Sequence, residues 1–203
     1  LPPLPYDQSR AYLTSAIEAS LRRLRTERID LYQIHRPDIL AHPAEVARTL
    51  EDAVAAGKIG QVGVSNFTIH QIEALQHFLS VPLASTQPEI SPLRIAPFEN
   101  GELDQALRLG LRPLAWSPLG GGRLLAPESE RDRAVAEALD DVHGEDRSVA
   151  ALSWLMAHPA GIIPILGTQR PERIAAAAAA RTVRWTRQQW YAVLVAARGE
   201  RLP

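Results

Sequence analysis

The 203-residue chain contains no cysteine. That absence excludes disulfides and zinc sites built on thiolates, and it leaves the redox compartment open. No apolar run approaches the roughly 20 residues needed to cross a bilayer. Neither sign of charge is in excess: lysine plus arginine number 22, aspartate plus glutamate 23, for a net charge of −1. A chain so balanced has no electrostatic handle for nucleic acid or an anionic membrane surface. The histidines show no metal-ligand spacing, so no metal site is expected. The opening Leu1-Pro2-Pro3-Leu4-Pro5 lacks the basic flank and apolar core of a signal peptide and has no initiator methionine. It reads as the middle of a longer chain. The expectation is a soluble, cytoplasmic protein, and no pattern assigns an oligomeric state.

What is present is a hydrophobic content of 46%, enough for a substantial core. Helical and strand-like segments alternate. Asp7 to Arg25 has Leu13, Ile17 and Leu21 at helical spacing, with Asp7 or Ser9 as N-cap. "IDLYQIH" is a strand, and Pro43 to Ala56 a helix closed by Gly57. "GQVGVS" is the next strand, and Thr68 with Gln71 spells a capping box that opens a helix to about Leu79. "PLASTQPEI", "LRPLAWS" and "IIPIL" hold three more strands. Helices are expected over Gly101 to Leu109, Glu128 to Asp141, Ser148 to Ala157, from Pro171 through the alanines at 175–180, and over Arg187 to Ala197. No linker or charge block interrupts the chain, so one domain over 1–203 is expected.

Short apolar strands separated by helices mean βαβ units and a parallel sheet. A dinucleotide-binding doubly wound sheet should show G-x-G-x-x-G after an early strand, and none is present. Polar groups stand instead at one strand end after another: His35, Ser65-Asn66, Gln87, Trp116-Ser117 and Gly167-Thr168. In a (β/α)8 barrel those ends open on the rim that carries active sites. On that reading Ser65 and Asn66 end their strand because it ends at a ligand.

Taken in order, "IDLYQIHRPD", "AAGKIGQVGVSNFT", "STQPEIS", "AWSPLGGGRL" and "IIPILGTQRPERI" resemble successive segments of the aldo-keto reductase family, nicotinamide-dependent (β/α)8 barrels. The chain is similar in particular to a bacterial branch of predicted oxidoreductases that share "HRPD", "GVSNFT", "WSPLGGGRL" and a closing "TRQQW". The resemblance implies an α/β fold, a partial (β/α)8 barrel of about five parallel strands whose first three βα units lie outside this chain. It implies reduction of an aldehyde or ketone to an alcohol by hydride transfer from NADP(H), with a small-molecule carbonyl substrate and neither nucleic acid nor membrane as partner.

A nicotinamide carboxamide needs a donor and an acceptor partner, which the Ser65 hydroxyl and the Asn66 and Gln87 amides supply between them. In the family these positions perform that task; read singly, each is better explained as satisfying the local backbone, and it is the ordered trio that points to a cofactor. The resemblance sets Trp116 against the nicotinamide ring, although a buried structural tryptophan is the alternative. It makes Ser117 to Arg123 the loop over the pyrophosphate, with Ser117, Leu119 and Gly120 as contacts. Gly167, Thr168 and Arg173 take the adenosine 2′-phosphate, although many members have lysine at Gly167, where Arg170 either substitutes or is merely solvated. His35 falls on the histidine that donates to the substrate carbonyl. The family's tyrosine proton donor, tuned by a lysine that pairs with an aspartate, matches none of Tyr6, Tyr12, Tyr32, Tyr191 or the sole lysine, Lys58. A non-catalytic nicotinamide-nucleotide-binding module or subunit is the alternative reading.

Overall fold

The computed structural model describes residues 6–144 and 146–202. In chain order the elements are α1 (Arg10–Leu24), β1 (Ile29–Ile34), α2 (Pro43–Ala55), β2 (Ile59–Ser65), α3 (Ile69–Phe78), β3 (Leu83–Gln87), α4 (Ala96–Glu99), α5 (Glu102–Leu109), β4 (Arg112–Ala115), α6 (Glu130–His143), α7 (Arg147–Met156), β5 (Ile163–Pro164), α8 (Pro171–Ala177) and α9 (Arg187–Arg198). They fall into two compact units, Leu1–Gln87 with Arg108–Leu111, and Pro88–Leu107 with Arg112–Pro203.

In the first unit β2 lies between β1 and β3, parallel to both. Three consecutive pairs set the register that matters below: Gly63 with Ser85, Val64 with Thr86, and Ser65 with Gln87, after a bulge that skips one residue of β3. Local chemistry explains the flanking helices. Ser9 accepts from Tyr12 N–H and starts α1, which buries Leu13, Ile17 and Leu21. Asp7 instead accepts from Ser9 N–H at 2.8 Å, and hydrogen bonding from the Ser9 side chain, then from its N–H, holds the Asp7 carboxyl below the usual range. The expected capping box at Thr68 and Gln71 is formed in full. Beyond α2, Gly57 takes φ of +72°, the left-handed turn that returns the chain to β2.

In the second unit β5 pairs in parallel with β4 through Leu114–Ile163 and Ala115–Pro164. This strand is shorter than "IIPIL" suggested, although Ile165 N–H still donates to Ala115 O at 2.9 Å just past its end. The alanine run also changes character, α8 giving way to a 3-10 turn over Ala178–Arg181. The unit's core centres on Trp154, which is fully buried. Its ring stacks on Trp190 at 4.7 Å, and each indole N–H donates to the other residue's carbonyl, at 3.0 and 3.1 Å. That reciprocal pair fixes α7 against α9 while satisfying two buried donors.

His158 borders this aromatic cluster, its ring 5.2 Å from that of Phe98, and its Nδ1 accepts from Ala160 N–H at 3.2 Å. Burial lowers its pKa below the ordinary 6.5, against a smaller opposing effect of Asp104. Since the folded pKa lies below the unfolded one, the unfolded chain binds the extra proton first. The stabilisation is complete above pH 6.5 and diminishes as pH falls from there through the folded value. Melting temperature should therefore drop more steeply on acidification in the wild type than in His158→Gln. Parallel slopes in thermal denaturation would contradict this.

Candidate functional site

The end of β2 gathers three strand ends. Ser65, only 2% exposed, donates its hydroxyl to the carbonyl of Gln87 at 2.9 Å. The Asn66 backbone N–H donates to the same carbonyl at 3.2 Å. The Asn66 side-chain nitrogen donates to Ser65 Oγ at 2.8 Å and to the carbonyl of His35, just past β1, at 3.2 Å. Asn66 does this with φ of +59°, a left-handed conformation that asparagine tolerates better than most side chains. The loop after β1 is held as well, since the buried Gln8 donates to Arg36 O at 2.5 Å and to Asp38 Oδ2 at 3.0 Å. Four of the expected site residues thus meet at one place. Ser65 and Asn66 carry out the backbone-satisfying task there, while the exposed His35 ring and the half-buried Gln87 amide have no hydrogen-bond partner among the described residues.

The second unit carries its own concavity. After β4, half-buried Trp116 pairs with Glu89 in an isolated bridge, and Ser117 turns the chain with φ of +50°. Gly120, Gly121 and Gly122 follow at φ of +60°, +68° and +95°, three successive left-handed residues that only glycine adopts cheaply. Two ion pairs hold the far end of this loop. Arg123 reaches Asp132 at 3.3 Å, and Asp132 also accepts from Glu128 N–H at 3.2 Å. Burial alone would raise the pKa of Asp132, but these bonds, the Ser129 hydroxyl and the Arg123 charge together lower it. Arg147 grips Asp140 through two bonds, at 2.8 and 2.5 Å, and donates to Leu124 O at 2.8 Å. The Arg147 hydrogen bonds, with the Arg147 charge, lower the pKa of Asp140 against its burial.

A cleft of about 630 Å³ opens beside the loop. Ser117, Leu119 and Gly122 line one wall, Ser148, Val149 and Leu152 of α7 another, and Leu166, Gly167, Thr168 and Arg173 the third. Thr168 Oγ1 accepts from Arg170 N–H at 3.2 Å, and Arg170 pairs with Glu172 at 3.5 Å. Exposed Arg173 makes no ion pair among the described residues. Of the expected residues, Trp116 and Gly120 stand next to the cleft without lining it. Sequence reading missed Asp146 and Ser148; the signal was an aspartate two residues before a helical serine, since Asp146 caps α7 by accepting from Ser148 and Val149 N–H. Nothing in the sequence marked Asp132 as the partner of Arg123.

Lys58 pairs with Glu18, not with a tyrosine. Burial raises the pKa of Tyr32, with a smaller contribution from Tyr12, which is opposite to what a tyrosine acid needs. Among the described residues no group of three or more His, Asp or Glu is arranged to hold a metal ion, and no helix is long and apolar enough to cross a membrane.

Comparison with known proteins gives consistent matches. The model of the aldo/keto reductase family matches residues 2–194. The chain is 69% identical over 206 residues to a 6-dehydroglucose reductase of Novosphingobium aromaticivorans, covering 100% of this chain and 68% of that protein. It is 39% identical over 195 residues to a 6-dehydroglucose reductase of Agrobacterium fabrum, covering 96% of this chain and 66% of that one. Among solved structures, a thermostable aldo-keto reductase matches with a TM-score of 0.84 at 25% identity, over 93% of this chain and 67% of that one. The chain spans about two thirds of the length of these relatives. The likeness makes the fold an α/β one with five parallel strands and surrounding helices, consistent with a partial (β/α)8 barrel.

Proposed function

As the chain belongs to the aldo/keto reductase family, we propose that the protein containing it reduces an aldehyde or ketone to an alcohol with NADPH. The observation that carries this reading is the meeting of Ser65, Asn66 and Gln87 at adjoining strand ends beside His35. Bound there, a nicotinamide cofactor supplies the hydride. The Gln87 amide offers it both a donor and an acceptor, next to Ser65 and Asn66. His35, anchored through its backbone carbonyl and exposed at its ring, donates to the substrate carbonyl oxygen and holds it in place. The second unit's cleft suits an adenosine end: apolar Leu119, Val149, Leu152 and Leu166 flank it, and Thr168 and Arg173 stand ready for a phosphate. Ser117 and Gly120 border the pyrophosphate, and Gly167 gives the 2′-phosphate room. We take residues 1–203 as part of one barrel domain of a cytoplasmic protein. The names of the two relatives favour an oxidised sugar such as 6-dehydroglucose as substrate.

A second reading, a module that binds the nucleotide without catalysis, is favoured by two observations: the only lysine is engaged by Glu18, and burial makes Tyr32 harder to ionise than usual. The two readings separate on the longer protein, where NADPH binding without turnover on any sugar aldehyde would select the module.

Asn66→Ala and Gln87→Ala should each weaken cofactor binding by on the order of 1–3 kcal/mol, the penalty for an unpaired polar partner. Fluorescence titration measures this, and unchanged affinity in both would remove the basis of the assignment. Arg173→Ala should weaken NADPH much more than NADH, because a charge-assisted bond to the 2′-phosphate is worth roughly 1.5–3 kcal/mol. Equal losses for the two cofactors would move the phosphate elsewhere. Residues 1–203 expressed alone should not oxidise NADPH in the presence of aldehydes, as no tyrosine pairs with a lysine among the described residues. Ordinary turnover by that polypeptide would reveal a different proton donor.

A further inference from the structure

One rung below Ser65 and Gln87, on the same three strands, lies a row of another kind. Gln33 of β1 stands beside Gly63 of β2, and Gly63 beside Ser85 of β3. Side chains alternate between faces with a period of two, so this row faces the same way as Ser65 and Gln87. Ser85 is 2% exposed. Its Oγ and the Nε2 of Gln33 are both buried and meet no hydrogen-bond partner among the described residues. Groups in that position are costly, and native interiors rarely leave them unmet.

Gly63 explains how the two polar groups come to lean over the same stretch of backbone. Its φ is not positive, so the position needs no glycine for conformation. It needs glycine for room: a Cβ there would stand 2.1 Å from Ser85 Oγ and 3.0 Å from Gln33 Cγ. The missing side chain in the middle strand is what admits the Ser85 hydroxyl and the stem of the Gln33 side chain from the strands on either side. The bulge between Val62 and Gly63 brings Ser85 into this register.

We propose that Gln33 and Ser85, meeting over Gly63, form a binding site for one internal water molecule. Water suits the chemistry. It accepts from the Gln33 N–H and exchanges a hydrogen bond with the Ser85 hydroxyl, which can donate or accept. Two polar partners are the minimum an internal water requires, and its remaining hydrogen and lone pair are left for neighbouring groups. A water held here is a fixed polar floor beneath Ser65 and Gln87. This site stands apart from the proposed chemistry, since neither Gln33 nor Ser85 is assigned to cofactor or substrate.

The test is a crystal structure of the full-length protein at a resolution that places waters, together with Gln33→Met, Ser85→Ala and the double variant. The expected result is one ordered water within hydrogen-bond distance of both Gln33 Nε2 and Ser85 Oγ. A direct bond between the two side chains, or a partner for each supplied by other protein groups, overturns the proposal. In thermal denaturation each single variant should melt lower by roughly 2–4 °C, because it leaves one buried group and the water half-satisfied. The double variant should recover most of that loss, since removing both partners removes the need for the water. Additive losses in the double variant contradict a shared water.

Discussion

The carbonyl of Gln87 receives two hydrogen bonds, one from the Ser65 hydroxyl and one from the Asn66 backbone, and the first unit's polar rim depends on that convergence. The Asn66 N–H reaches that carbonyl as the last rung of the β2–β3 ladder, and the residue then leaves β2 in a left-handed conformation. The same turn swings its side-chain nitrogen back toward the His35 carbonyl. One residue with an unusual backbone therefore ties β2 to both neighbours, where a leucine or valine in that conformation would be strained and would have no side-chain donor for the His35 carbonyl. Labour divides as a result. Ser65 and Asn66 hold main chain, and what they hold is the backbone of the two residues whose side chains are presented outward, His35 and Gln87.

The second unit solves a related problem by different means. A loop of three successive left-handed glycines has little stiffness of its own, and its order must come from its ends. Leu124, fully buried, pins it from the apolar side, and Arg123 and Arg147 pin it through Asp132 and Asp140. Asp132 is buried, and a buried carboxylate is tolerable only when its oxygens are met, as they are by Arg123 and the Glu128 N–H. Behind these anchors the mutual hydrogen bonds of Trp154 and Trp190 keep α7 in place as a wall of the cleft.

Features governed by neighbours in sequence were legible before any coordinates. The capping box of Thr68 with Gln71 involves partners three residues apart, and its helix begins where that pair puts it; the like pair of Thr186 and Gln189, which opens α9, went unread. Strand ends were legible too, because an apolar alternation that stops in Ser65-Asn66 or His35-Arg36 stops visibly. Where an element's extent depends on what it pairs with, sequence reading fell short. β5 was drawn too long, and the small helix Ala96–Glu99 and the 3-10 turn after Ala177 went unseen. An alanine run favours helix in general but carries no mark of where tertiary contacts tighten it.

By itself, then, the sequence determined the alternation of strands and helices, the polar residue types at the strand ends, and the family those motifs belong to. Each rests on short-range propensity or on the order of motifs along the chain. Only the tertiary structure decided that the Asn66 amide serves the carbonyl of a residue 31 positions away, and that Asp132 rather than any other carboxylate meets Arg123. It alone decided that Gln33, Gly63 and Ser85 stand in one row. Register between parallel strands is set by a bulge and by packing across tens of intervening residues, and a hydrogen bond between such strands leaves no periodic trace in either one.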